Sequence, residues 1–102
     1  MKIVWSDPAV SDLDSIWDFI ARDSPHYATQ TVQRLIDAVE PLATFPAMGR
    51  HVPEAESDDM RELIVGGYRV IYRVMGQQVE IATVVHGSRD LAGEPKPWMR
   101  NE

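Results

Sequence analysis

"GGYRVIYRV", residues 66–74, decides the fold. Val70, Tyr72 and Val74 fall on one side of it, and Arg69, Ile71 and Arg73 on the other. A period of two is that of a β-strand. The preceding Gly66–Gly67 pair suits a tight primed hairpin turn, because glycine tolerates positive φ at both positions. "MRELIV" (60–65) then reads as the strand before it. "VEIATVVH" (79–86) reads as the strand after it, across a second hairpin marked by Gly76–Gln77–Gln78.

Upstream the period changes. "MKIVW" (1–5) is a short first strand, and "SDPAV" (6–10) opens a helix. Ser6 or Asp7 can cap it, and Pro8 in its first turn loses no hydrogen bond. Val10, Leu13, Ile16, Trp17 and Ile20 recur at helical spacing, which places Trp17 in the core and most of the aspartates on a solvated face. "RDSPHYA" (22–28) repeats the start signal with Ser24 and Pro25. The second helix carries Val32, Leu35, Ile36, Val39 and Leu42, and so short a link makes an antiparallel helical hairpin. Pro41 predicts a kink or an early end, since it removes a backbone donor and crowds the preceding turn. Residues 51–60 read as a polar loop, and "LAGEPKPWMRNE" (91–102) as an irregular tail.

The order is thus β-α-α-β-β-β. Two helical stripes can bury themselves only against one sheet face, which predicts a two-layer α+β domain on a mainly antiparallel four-stranded sheet. Val70, Tyr72 and Val74 should face the helices. Arg69, Ile71 and Arg73 should lie on the uncovered face.

Composition bounds the function. At 102 residues and 44% apolar, the chain fits one domain with one core. With no cysteine there is no disulfide framework, thiolate zinc site or thiol nucleophile, which suits a reducing cytosol. The first residues hold too short an apolar run for a signal peptide or membrane span. A net charge of −6 would repel free nucleic acid, so any such contact needs a local basic patch. Acid concentrates at Asp7, Asp12, Asp14, Asp18 and Asp23, and again at Glu54, Glu56, Asp58 and Asp59. The strand region, with Arg61, Arg69, Arg73 and Arg89, is the part that is not acidic. His26, His51 and His86 have no ligand-like spacing, so neither a metal site nor a cofactor is expected.

"DLDSIWDFIARDSPHYA" (12–28), "LATFPAMGR" (42–50), "RELIVGGYRVIYRV" (61–74) and "VVHGSRDL" (84–91), in this order and spacing, resemble the ParE/RelE superfamily. These are the toxins of type II toxin–antitoxin pairs, often called plasmid-stabilisation proteins. The resemblance implies a toxin domain over residues 1–91, followed by the tail 92–102. It implies a cytoplasmic protein in a hetero-oligomer with a cognate, ParD-like antitoxin. RelE-like members cut messenger RNA on the ribosome, whereas ParE-like members poison DNA gyrase. On the RelE side, Arg69 in "GGYR" matches a family arginine that steadies phosphate, and Arg89 in "HGSR" the arginine after the last strand. Arg61 stands where a family lysine lies. The next family lysine is Leu63 here, and the tyrosine expected shortly after Arg89 has no counterpart. Cleavage by 2′-hydroxyl attack needs groups that take and give a proton. Arginine stays protonated and cannot be the base, which leaves His86 and Tyr68.

The gyrase branch therefore fits better, with an antitoxin-binding relic as a further alternative. Candidate target contacts are Arg69, Arg73, Arg89, Trp98 and Met99, since exposed tryptophan and arginine are enriched among residues that carry binding energy. Trp5, Tyr27 and Ile71 are candidates to line an antitoxin groove. Each has a structural alternative. Arg69 and Arg73 can pair with Glu62 and Glu80 on neighbouring strands, His86 can be a hydrogen-bonded core-edge residue, and Trp5 and Tyr27 can be ordinary packing.

Overall fold

A computed structural model describes residues 1–87. The elements are β1 (Lys2–Trp5), α1 (Asp7–Ala21), α2 (Pro25–Val39), a 3₁₀ turn (Glu40–Ala43), β2 (Arg50–His51), β3 (Met60–Val65), β4 (Tyr68–Met75) and β5 (Gln78–His86). Both helices start as their caps dictate. Ser6 Oγ accepts from the Ala9 amide at 3.2 Å, and Ser24 Oγ from the Tyr27 amide at 3.1 Å. α2 stops at Val39, two residues before Pro41, and the tighter 3₁₀ turn carries the proline. The β3–β4 turn takes positive φ at Gly66 alone, not at both glycines.

The sheet order is β1-β5-β4-β3-β2, with β1 parallel to β5 and every other pair antiparallel. It has five strands rather than the four expected. The addition, β2, pairs Arg50 with Glu62 and His51 with Arg61. A two-residue strand has no alternation to read, so it was hidden in a polar stretch.

One core lies between sheet and helices. Ala9 and Leu13 of α1, Leu35 and Val39 of α2, and Leu42 pack on Val70, Tyr72, Val79, Ile81 and Val84. Val74 packs at its margin. The β4 alternation is thus realised. The α1 stripe is rotated from the expected one: Ala9 and Leu13 are buried, while Val10 and Trp17 are exposed. Ala9 is small enough to sit against the sheet, and residues 10 and 17 lie roughly 70° further round the helix than residues 9 and 13. Trp17 is not a core residue; its Nε1 donates to Thr29 Oγ1 at 3.1 Å and ties α1 to α2.

The opposite sheet face is not bare. Val52 and Met60, with Ala55 beside them, cover Ile71, Ala82 and Val85 in a second small core. The loop between β2 and β3 folds back over the sheet and seals Ile71 completely.

β5 carries an irregularity. Ile71 pairs with Thr83 but Tyr72 with Ile81, so Ala82 is the extra residue of a bulge. β1 accompanies β5 only as far as Trp5 and Ile81. Beyond that point the start of α1 replaces the missing strand. The Ser6 amide donates to the Ile81 carbonyl at 3.0 Å and the Ser6 hydroxyl to that of Ala82 at 2.9 Å. Asp12 accepts from the Val84 amide at 2.9 Å and from the Thr83 hydroxyl. Asp12 is therefore a structural acceptor rather than part of a solvated face.

Candidate functional site

The outer sheet face carries a chain of alternating charges. Arg69 on β4 lies diagonal to Glu62 on β3, because Glu62 pairs with Ile71. Arg69 Nε donates to Glu62 Oε1 at 2.7 Å. From the covering loop, Glu54 receives both guanidinium ends of Arg69, Nη2 to Oε1 at 2.7 Å and Nη1 to Oε2 at 2.9 Å. Glu62 is shared: its Oε2 also accepts from Arg50 Nε at 2.6 Å. The Arg69 and Glu62 side chains are 7% and 0% exposed, so this is a desolvated network. The Arg69 pKa is raised above that of an ordinary guanidinium, chiefly by the bonds to Glu54; burial opposes this and Glu62 adds to it.

Beside the network runs a groove of about 310 Å³, bordered by Arg50, Glu54, Ile64, Gly67, Arg69 and His86. His86 is exposed and meets Tyr68 edge to face, with ring centroids 5.6 Å apart. Arg69 and His86 thus border one groove, as sequence reasoning grouped them. Arg61 does not join them. It pairs across with Tyr72, so it points to the helix side of the sheet. There its Nη1 donates to the carbonyls of Gly49 at 2.7 Å and Ala47 at 3.2 Å.

The target-contact candidates fare unevenly. Arg69 is buried under Glu54 rather than projecting from an open face. Arg73 is partly exposed and faces Glu80 at 3.3 Å. Both arginines thus make the cross-strand pairs that a structural reading anticipates. Arg89, Trp98 and Met99 lie outside the described residues. Of the antitoxin candidates, Ile71 is sealed beneath the loop, Trp5 packs half-buried on the helix-side core, and Tyr27 is open on α2. Ile71 and Trp5 lie on opposite sides of the sheet, so the three form no common groove.

Glu54 and Arg50 were missed as members of the site. Their faint signal was Val52 and Ala55 on either side of Glu54 in a polar stretch, the mark of a loop with something to bury. Among the described residues, no group of three or more His, Asp or Glu side chains could hold a metal ion, and no helix is long and apolar enough to cross a membrane.

The family model of the ParE toxin of type II toxin–antitoxin systems, parDE, matches residues 3–91. A putative toxin, Y4kP, of Sinorhizobium fredii is 37% identical over 87 residues, 83% of this chain and 86% of the relative. Toxin RelE2 of Caulobacter vibrioides is 34% identical over 89 residues, covering 86% and 97%. Among solved structures, the chromosomal ParDE toxin–antitoxin system of P. aeruginosa superposes with a TM-score of 0.72 at 27% identity, covering 84% of this chain and 95% of the other. The toxin–antitoxin complex RelBE2 of Mycobacterium tuberculosis shares the fold at a TM-score of 0.56 and 19% identity, covering 83% and 95%.

Proposed function

The chain belongs to the ParE toxin family of type II toxin–antitoxin systems, and on that premise we propose that it poisons DNA gyrase by contact, without chemistry of its own. A ParD-like antitoxin neutralises it in a hetero-oligomeric complex, and its place of action is the cytoplasm. The engagement of Arg69 carries this reading. The guanidinium that an RNA-cleaving relative would offer to phosphate already holds two carboxylates, Glu54 and Glu62. Replacing Glu54 by a phosphate would open the loop and uncover the second core. Arg61 is turned to the other side of the sheet, and Leu63 cannot carry a proton. What remains suits a rigid surface better than an acid–base site.

The antitoxin contact is supported by apolar side chains left open on the helical hairpin, among them Val10, Trp17, Phe19 and Tyr27. Val10 and Trp17, seven residues apart on α1, share one exposed helix face, and contiguous apolar surface is where a partner docks. Arg73, Arg89, Trp98 and Met99 remain the proposed contacts to gyrase.

The test is purified gyrase with supercoiled plasmid, ATP and excess toxin. Accumulation of linear, protein-linked DNA, reversed by the antitoxin, is expected. Unchanged supercoiling with no cleaved product would remove the proposal.

A second reading keeps one specific support. Arg69 and His86 border the same groove, and one relative is named RelE2. Under it the chain is a ribosome-dependent endoribonuclease using Arg69, Arg89 and His86, with Glu54 displaced. Codon-phased cuts in translated messenger RNA, lost in Arg69→Ala, would decide for it.

A further inference from the structure

On the other side of the Gly66–Gly67 turn lies a second cleft, of about 210 Å³, between α2 and the turn. Tyr27, Gln30 and Arg34 line it from α2, and Tyr68 and the two glycines from the sheet. We propose that this cleft binds the carboxylate of an acidic side chain in a partner peptide.

Arg34 is the first reason. The groove arginines, Arg50 and Arg69, are each held by a carboxylate. Arg34 has no ion-pair or hydrogen-bond partner among the described residues. Its Nη1 stands 3.5 Å from where a Cβ on Gly66 would be, so the cation hangs over the turn. A guanidinium offers two parallel donors to one carboxylate, a pairing stronger than a neutral hydrogen bond.

The two glycines give the cleft a backbone rim. Gly66 needs to be glycine, because its φ is +58°. Gly67 has no such φ, and a Cβ there would come no closer than 3.9 Å to any atom beyond its chain neighbours. Neither the backbone nor the packing asks for glycine. The atom met at 3.9 Å is His86 Nε2, so a side chain at Gly67 would head towards the other groove, and it is the backbone of the two glycines that borders this cleft.

The volume suits a single side chain. The surroundings disfavour a nucleic acid: the chain carries −6 overall, and Asp37 sits one helical turn beyond Arg34. Serial phosphates would meet that acid, whereas one carboxylate between two tyrosines would not.

The experiment is an NMR titration of the full ¹⁵N-labelled chain with N-acetylglutamate methylamide, its glutamine counterpart and a short oligouridylate. Saturable shifts at the Gly66 and Gly67 amides and at Arg34 Nε are expected with the glutamate compound and not with glutamine. Arg34→Gln should weaken binding by about tenfold or more, since bonds to charged groups carry that much. Arg34 is exposed, so Arg34→Gln should leave Tm essentially unchanged, which separates the site from the fold. Equal shifts with glutamine, binding that survives Arg34→Gln, or tighter binding of the oligouridylate would each overturn the proposal. The readout is independent of gyrase, so its failure and that of the target reading are told apart.

Discussion

Arg69 and Glu54 meet in a two-point contact, Nη2 on Oε1 at 2.7 Å and Nη1 on Oε2 at 2.9 Å, and this contact fastens the loop between β2 and β3 onto the sheet. The loop's apolar contribution is small: Val52 and Ala55, closed by Met60 at the start of β3. The ion pair and the second core therefore depend on each other. The loop excludes water from Arg69, and Arg69 holds the loop.

Glu54→Gln should loosen that loop without unfolding the domain. One charged acceptor is replaced by a neutral amide, for an expected loss of about 1–3 kcal/mol. Arg69→Ala should be worse, roughly 3 kcal/mol or more, because it leaves Glu62 buried with Arg50 as its remaining partner. Urea unfolding gives both numbers, and hydrogen exchange should show faster amides at residues 52–59 in Glu54→Gln. Equal exchange in the two proteins would mean that the contact does not hold the loop.

Asp12 should stand apart from the other α1 aspartates. Its carboxylate accepts from the Val84 amide and the Thr83 hydroxyl, where β5 has lost its neighbour β1. Asp12→Ala leaves a part-buried amide without its acceptor, at about 1–3 kcal/mol. Asp14→Ala and Asp18→Ala, on the exposed face, should stay within about 0.5 kcal/mol of the parent. Thermal melts of the three variants check this, and similar Tm values for all three would refute the clamp.

Gly49 is fixed by crowding. A Cβ there would lie 2.6 Å from Tyr72 Oη and 2.7 Å from the Glu62 carbonyl oxygen. The second neighbour is strand backbone and cannot yield cheaply. Gly49→Ala should therefore lose roughly 1–3 kcal/mol by overpacking. A chemical-denaturation midpoint equal to the parent's would show that the 46–49 segment yields freely.

These cases show what the sequence could disclose. Alternation on β4 put Val70 and Tyr72 against the helices, and serine–proline pairs marked both helix starts, because those signals are local. The outer face was misread for the opposite reason. Nothing local says that Glu54 returns to Arg69 across 15 positions, or that Val52 and Ala55 cap Ile71. The α1 stripe was misphased because Ala9 is a weak hydrophobic signal, although it sits deepest. The charge pairs on β4 were legible as cross-strand partners. That they closed a site rather than offering one was not, since closure depended on the loop.

Tyr72 supplies a test by pH. Its hydroxyl donates to the Pro46 carbonyl at 2.7 Å and accepts from the Gly49 amide at 2.9 Å. Burial raises its pKa above the ordinary 10.0, while the Gly49 amide and the positive charge of Arg61 pull the other way. A phenol whose pKa is higher folded than unfolded stabilises the fold fully below the unfolded value. That contribution is lost as pH rises through the folded one, because the unfolded phenol ionises first. Stability should therefore fall as pH rises past about 10, the unfolded value, as this linkage is lost. Tyr72→Phe should be less stable at neutral pH, since the Gly49 amide loses its acceptor, yet should lose less over the alkaline range. Melting curves of both proteins across that range decide it, and parallel losses would mean that Tyr72 is not the group being titrated.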